Sequence, residues 1–129
     1  MLKRIMFVTD DAIDESLVNS FPQHGFEISI AEPASAYQQA LASPPDLMAV
    51  DFTSAEGAME LLKKVRSSAA LNETFVLALA EWGTGQATLA LSNGADGFEP
   101  KPIDATRLLE AVEKLLRPRL VMAAAANDK

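Results

Sequence analysis

The sequence predicts an α/β fold in which five parallel strands, in the order 2-1-3-4-5, form one doubly wound sheet with helices on both faces. Short apolar runs alternate along the chain with segments whose apolar residues recur at helical spacing. Several of these runs are apolar throughout, which is typical of parallel strands buried on both faces. The chain has 129 residues, 49% of them hydrophobic, which suffices for a single domain with its own core.

Five strands are expected, and they differ in how completely they are buried. Phe26, Ile28 and Ile30 alternate with polar residues, which is typical of an edge strand with one partly wet face. The other predicted strands show no such alternation; most of them are continuous apolar runs, and the one around Gly97 is short. The predicted strands lie at 3–9, 26–30, 47–50, 74–80 and 97–99.

Helices are expected between and after the strands, and residues at their ends mark where they begin and stop. Pro22 and Gly25 end the first helix, and Pro33 suits the first turn of the second. Gly94 suits a left-handed end of the weakly marked fourth helix, and Asp104 suits the N-cap of the last. The apolar faces are given by Ile13, Leu17 and Phe21; Tyr37 and Leu41; Ala58, Leu61, Leu62 and Val65; Ala87, Ala90 and Leu91; and Leu108, Val112, Leu115 and Leu116.

Composition excludes several classes of function. The formal net charge is −7, so we expect no nucleic-acid partner. Because the chain has no cysteine and one histidine, thiol chemistry, disulfides and multi-histidine metal centres are excluded. No apolar run is long enough to span a membrane, and no signal-peptide pattern is present. We therefore expect a soluble cytoplasmic protein, with one domain at 1–117 and a flexible or partly helical tail at 118–129.

Two predicted strands end in carboxylates, and a lysine between two prolines follows a third. Asp10 follows the first strand, Asp51 ends the third, and Lys101 follows the fifth. If the strands are parallel, these side chains meet at one edge of the sheet, where ligands bind in open α/β folds. Neighbouring carboxylates repel each other, and Mg²⁺ with phosphate oxygens compensates that repulsion. Asp51 would then serve as a nucleophile towards phosphorus, and Lys101 would neutralise charge on the transferred group.

Four segments of the chain match the pattern of a known family. They are Pro45-Asp46-Leu47-Met48-Ala49-Val50-Asp51, Gly94-Ala95-Asp96-Gly97-Phe98, Lys101-Pro102 and Ala31-Glu32. Through them the chain resembles the receiver domain of two-component response regulators, from Lys3 to about Leu116. The resemblance implies a flavodoxin-like fold and a role in phosphorelay signal transduction.

Roles follow from this resemblance position by position. Asp51 matches the phosphoacceptor, and Asp10 matches the acid that binds Mg²⁺. Lys101 matches the lysine that contacts the phosphoryl group, and Phe98 matches the aromatic switch residue. Thr53 would offer its backbone carbonyl to the metal. The expected partners are a histidine kinase or a histidine phosphotransfer protein, together with a downstream protein target that the sequence does not name.

The sequence departs from the family pattern at two functional positions. Thr9 stands where the family usually has the first of two adjacent acids. Asp11 is next to Asp10, but its side chain should point elsewhere because neighbouring strand residues alternate. The hydroxyl residue at the end of strand 4 is replaced by Leu79, or by Ala80 if the gap shifts. The usual relay from the phosphoryl group to the switch aromatic therefore lacks its hydroxyl.

Several alternatives remain open on the sequence. A degenerate receiver would bind partners without phosphorylation. A phosphatase of the haloacid dehalogenase type is disfavoured, because that family needs an acid at the position of Thr53. A flavodoxin-like flavin protein is also disfavoured, because it would not have acids where a phosphate binds to backbone amides. Trp82 could gate the site, anchor a partner or cover the core. The leucines of the last helix are expected in the core, with a homodimer face as the alternative.

Overall fold

The computed structural model describes residues 3–10, 13, 15–52 and 55–127, which form a five-stranded parallel sheet in the order β2-β1-β3-β4-β5. This confirms the predicted architecture. The strands are β1 (Lys3–Val8), β2 (Phe26–Ala31), β3 (Leu47–Asp51), β4 (Phe75–Glu81) and β5 (Gly97–Lys101). The helices are α1 (Glu15–Gln23), α2 (Pro33–Ala42), α3 (Ala55–Ser67), α4 (Gln86–Ser92) and α5 (Ala105–Asn127), and a 3₁₀ turn covers Ala69–Leu71.

Two hydrophobic cores lie on opposite faces of the sheet because successive side chains of a strand alternate between its faces. The α1/α5 face buries strand residues such as Phe7, Ala49 and Leu79 against helices α1 and α5. The α2–α4 face buries the alternate residues, such as Val50 and Ala78, against α2, α3 and α4. The chain therefore has helices on both faces, as predicted from its unbroken apolar strands.

The ends of the elements follow the expected local chemistry. Pro33 is at the first turn of α2, and Gly94, after α4, has a φ of 111°, in the left-handed region that favours glycine. Asp104 caps α5, since its Oδ1 accepts a hydrogen bond from the backbone N–H of Arg107 at 3.0 Å. Strand β2 is at the edge of the sheet as predicted, and Ile30 on it remains 51% exposed because the sheet ends there.

Helix α5 is longer than the sequence led us to expect. It continues to Asn127 instead of ending near Leu116. A run of alanines at 123–126 favours this extension, because alanine has the highest helix propensity. The predicted boundary at 117 therefore falls inside a helix, and the flexibility of 118–129 stays a prediction. No helix among the described residues is both long enough and apolar enough to cross a membrane.

Arg66 joins three parts of the fold that are far apart in sequence. From helix α3, its guanidinium donates hydrogen bonds to the carbonyl oxygens of Gly94 and Thr74, at 2.7 and 2.8 Å. It also pairs with Asp96, at 2.5 Å from Oδ2. That same oxygen accepts the backbone N–H of Val76 at 2.8 Å. The planar guanidinium suits this set of acceptors, and it fixes the segment that leads into β5.

Candidate functional site

The register of the sheet determines which residues meet at its carboxyl edge. Leu79 of β4 lies opposite Asp51 of β3, and Glu81 lies opposite Lys101 of β5. The side chains of Asp51 and Lys101 therefore lie on the same face of the sheet as Leu79, which is the α1/α5 face. Thr9 comes two residues after Phe7 of β1, so its side chain lies on this face as well. The three polar residues thus converge because of strand order and alternation.

Asp51 is the centre of this cluster. Lys101 Nζ donates to Asp51 Oδ2 at 2.9 Å, and the Thr9 hydroxyl donates to the same oxygen at 3.2 Å. The side chain of Asp51 is 10% exposed and that of Lys101 is 20% exposed, so this ion pair is largely removed from solvent. The predicted neighbourhood of Asp51 and Lys101 is thus present in the structure. The part played by the Thr9 hydroxyl was missed at the sequence level, where Thr9 counted only as a missing acid.

The structure does not place Asp10 with the cluster. Asp10 is exposed and borders a separate depression over the α2–α4 face, together with Glu32, Glu60 and Lys64. The reason is the alternation along the chain, which gives Thr9 and its neighbour Asp10 opposite directions. Thr53, the other predicted metal contact, lies outside the described residues.

The two candidates for the end of strand 4 have different positions. Leu79 is 5% exposed and borders the same cavity as Asp51 and Lys101. Ala80 is fully buried in the core of the α2–α4 face. Leu79 is therefore the side chain beside the carboxylate, and the surface that it contributes is apolar.

A cavity of about 280 Å³ adjoins the polar cluster on the α1/α5 face. Its walls come from the strands at Phe7, Ala49 and Leu79, and from the helices at Leu17 and Leu108. Thr9, Asp51 and Lys101 form its polar part, and the loop after β5 closes another side with Pro102 and Ile103. The site therefore combines the ion pair between Asp51 and Lys101 with a largely apolar recess.

The aromatic residues Phe98 and Trp82 lie away from this cavity. Phe98 pairs in register with Ala78 and packs, partly buried, against the core of the α2–α4 face. The indole of Trp82 makes an edge-to-face contact with the Phe98 ring, with the ring centroids 5.4 Å apart. Because Trp82 is 73% exposed, it does not cover the core. It covers Phe98, the predicted switch residue.

The pKa of Glu99, which lies two residues before Lys101 on β5, is shifted. Burial raises its pKa above 4.5, the approach of Arg107 lowers it, and the charges of Glu110 and Asp104 raise it again. The Arg107 guanidinium is 3.9 Å from Glu99 Oε2 and is itself 62% exposed, so its compensation is weak. Glu99 is therefore held where its ionised form is disfavoured.

The donors at the site fit a magnesium ion in part. Mg²⁺ binds through one or two carboxylates and otherwise through water and phosphate oxygens, and the Asp51 carboxylate meets that requirement. Among the residues that the structure describes, no group of three or more acids or histidines is arranged to hold a metal. A magnesium site here would therefore depend on phosphate and water oxygens.

Structural comparison identifies the class of fold. NtrX from Brucella abortus is similar with a TM-score of 0.78 and 23% identity, over 100% of this chain and 30% of NtrX. The receiver domain of NtrX alone gives a TM-score of 0.77 at 24% identity, over 88% of this chain and 98% of that domain. The chemotaxis response regulator CheY4 of Vibrio cholerae gives 0.79 at 21% identity, over 90% of this chain and 100% of CheY4.

The chain thus has the fold of response regulator receiver domains. It spans about 30% of the length of NtrX and nearly all of the separately solved NtrX receiver domain. The sequence matches no family model and no curated protein.

Proposed function

We propose that this chain is a receiver domain that accepts a phosphoryl group on Asp51. The observation that carries the proposal is the ion pair between Asp51 and Lys101, 2.9 Å long and largely shielded from solvent, at the carboxyl end of β3. This edge of an open α/β sheet is where ligands of such folds bind. An acid and an ammonium group at this edge suit acceptance and neutralisation of a phosphoryl group.

The chemistry is the transfer of a phosphoryl group from the donor to a carboxylate oxygen of Asp51. A carboxylate oxygen of Asp51 attacks the phosphorus atom, a P–O bond forms, and the bond between phosphorus and the donor's leaving atom breaks. The leaving group takes that electron pair, and Asp51 becomes an acyl phosphate. Lys101 stabilises the negative charge on the phosphoryl oxygens. The Thr9 hydroxyl, which donates to Asp51 at 3.2 Å, holds the carboxylate in place.

Magnesium completes the proposed site. Asp51 would hold the ion. The family resemblance also implies the backbone carbonyl of Thr53 and the side chain of Asp10 as ligands, and Asp10 would have to turn towards Asp51 from the separate depression that it borders. When bound, the ion would supply positive charge next to the phosphoryl oxygens. In this proposal the protein is a signalling domain rather than an enzyme with a released product. Its phosphoryl donor is a histidine kinase or phosphotransfer protein, and its output goes through protein contacts.

The test is phosphorylation by a small donor. The chain is incubated with acetyl phosphate and Mg²⁺, and intact mass is followed with time. We expect a gain of one phosphoryl group that Asp51→Asn abolishes. Asp46→Asn is the matched control, since Asp46 lies just before the other end of β3. No gain in mass by the parent chain, or an equal gain by Asp51→Asn, would contradict the proposal.

A second function is favoured by one observation. Leu79 presents an apolar side chain beside Asp51, at the place where the family resemblance calls for a hydroxyl. A receiver that binds its partner without phosphorylation needs no such hydroxyl. In that case Asp51→Asn leaves the affinity for the partner unchanged, whereas in the first function it removes the phosphorylation-dependent increase.

A further inference from the structure

Strand β2 leaves one edge of the sheet open. Among the residues that the structure describes, no strand lies beyond β2, which is at the end of the strand order. All 6 of its residues pair with β1 in continuous register, so no bulge interrupts the strand. β2 contains neither proline nor lysine, which often protect an edge, and its one charged residue is Glu27. This edge can therefore accept another strand.

Three residues of β2 direct their backbone groups towards the open edge. The carbonyl oxygen of Ala31 accepts a hydrogen bond from the N–H of Thr9 at 3.1 Å, so the backbone of Ala31 faces β1. Backbone groups of successive strand residues point to opposite edges. The N–H and C=O groups of Phe26, Ile28 and Ile30 therefore point away from β1, and each of these residues offers one donor and one acceptor.

The side chains of the same three residues form an apolar row on the α1/α5 face. Phe26 packs against Phe21 of α1, with the ring centroids 5.8 Å apart, and Ile28 packs against the same core. Ile30 comes two residues later and lies on that face as well. It is 51% exposed, whereas Phe26 is buried and Ile28 is half-buried. The uncovered part of the row is therefore at Ile30.

A second copy of the chain complements this edge in backbone and side chains. Two β2 strands that are related by a twofold axis run antiparallel to each other. With the axis at Ile28, all three outward residues pair within the strands, Ile28 with Ile28 and Phe26 with Ile30. Residues opposed in this way exchange both of their hydrogen bonds. Ile30 then lies beside Phe26 of the second copy on the same face, which covers its exposed side chain.

The charges near the edge are compatible with this register. Glu27 of one copy lies opposite Ser29 of the other, so no like charges are directly opposed within the paired strands. An axis one residue earlier would instead set Glu27 against Glu27. The register also brings His24, just before β2, towards Glu32, just after it, and both residues are exposed. Because an imidazole N–H can donate to a carboxylate, each end of the junction gains a complementary pair.

We propose that the chain forms a symmetric dimer through the open edge of β2, in which the two strands pair antiparallel about Ile28 and the two sheets become one. The contact goes beyond the proposed phosphoryl transfer. Asp51 lies on β3, which β1 separates from β2, so the dimer does not involve the phosphoryl site. Failure of one proposal therefore does not imply failure of the other.

Sedimentation velocity of the unphosphorylated full chain measures the association. We expect the dimer fraction to rise with concentration between about 5 and 500 µM, as for a contact built on one pair of strands. Ile30→Lys should weaken the dimer about tenfold or more, because the ammonium group would lose hydration at the junction. Ile30→Pro should do the same, because it removes an outward N–H and none that β1 uses.

Leu89→Lys is the matched control for the change in charge. Leu89 lies on α4 and is 56% exposed, close to the exposure of Ile30. The chain has a formal net charge of −7, so an added lysine lowers the general repulsion between two copies. A loss of dimer in Ile30→Lys that Leu89→Lys does not share therefore identifies the β2 edge. Circular dichroism checks that each variant is folded.

Cysteine variants test the register, since the chain has no cysteine of its own. In the proposed dimer the two Ile28 positions face each other with a Cα–Cα distance of about 5.5 Å, within the range of a disulfide. Ile30 faces Phe26 instead and is remote from Ile30 of the second copy. Mild oxidation should link Ile28→Cys about tenfold faster than Ile30→Cys, although Ile30 is the more exposed position.

Three results would overturn the proposal. The first is a parent chain that stays monomeric up to about 500 µM. The second is a dimer that persists undiminished in folded Ile30→Lys and Ile30→Pro, which would place the contact on another surface. The third is oxidation that links Ile30→Cys as fast as Ile28→Cys or faster, which would exclude an axis at Ile28.

Discussion

Removal of the ion pair between Asp51 and Lys101 gives the most direct measure of how the site is built. Two unit charges 2.9 Å apart attract by about 6 kcal/mol at an effective dielectric constant of about 20. Desolvation and side-chain ordering offset most of this attraction. Exposed pairs retain about 0.2–1 kcal/mol, and close desolvated pairs retain about 1.5–7 kcal/mol. With side chains 10% and 20% exposed, we expect a coupling energy of about 2 kcal/mol.

A double-mutant cycle measures that coupling. The parent chain, Asp51→Asn, Lys101→Met and the double variant are unfolded with urea at neutral pH, and the coupling is the non-additive part of the change in unfolding free energy. The chain offers its own control in Lys3 and Asp46, which are 4.0 Å apart and 33% and 27% exposed. We expect that pair to couple by less than about 1 kcal/mol. Equal coupling in the two cycles would refute the reasoning from burial.

Three further predictions concern stability. Arg66→Leu should lower the unfolding free energy by about 3 kcal/mol, because it removes three hydrogen bonds and leaves acceptors unpaired. Its control is Lys63→Leu, at an exposed position of the same helix, which should change the unfolding free energy by less than about 0.5 kcal/mol in the same urea assay. Thr9→Val should cost about 1 kcal/mol, whereas Thr9→Ser keeps the hydroxyl donor and most of the stability; equal losses would contradict a role for the bond to Asp51. The pKa of Glu99 is raised in the folded state, so the stability that its protonated form contributes is fully present below the pKa of the unfolded chain and is lost as pH rises through the pKa of the folded chain. Glu99→Gln should therefore be more stable than the parent at about pH 7 and should lose that advantage near pH 3. Thermal midpoints at the two pH values measure the difference.

The sequence predicted the fold well because local signals agreed along the chain. Apolar runs, helical spacing and end residues each act within a few neighbours, and the structure keeps end residues such as Pro33 and Asp104. Some helical positions differ from the prediction, since Ile13 lies before α1 and Leu41 and Leu91 are exposed. Helix α5 also differs, because alanines carry it past the expected end. The Arg66 contacts were missed, since they join residues 8 to 30 positions apart and no local pattern marks them.

The candidate site was predictable in its members but not in its arrangement. The ends of parallel strands meet at one edge, so the approach of Asp51 and Lys101 could be expected from the sequence. Whether Thr9 or Asp10 faces Asp51, however, depends on which face of the sheet each residue takes directly after the end of β1, and the sequence alone does not show this. Likewise, only the register of β3 with β4 shows that Leu79 is beside the carboxylate.

By itself, then, the sequence determined the order of elements, the two-faced burial of the strands and the edge where the charged residues gather. The tertiary structure decided the direction of each side chain at that edge, the apolar cavity next to Asp51 and the cover that Trp82 places on Phe98. The physical reason is distance along the chain. Alternation and capping are local, whereas the contacts of Asp51 with Thr9 and Lys101 span 42 and 50 residues and exist only once the strands are in register.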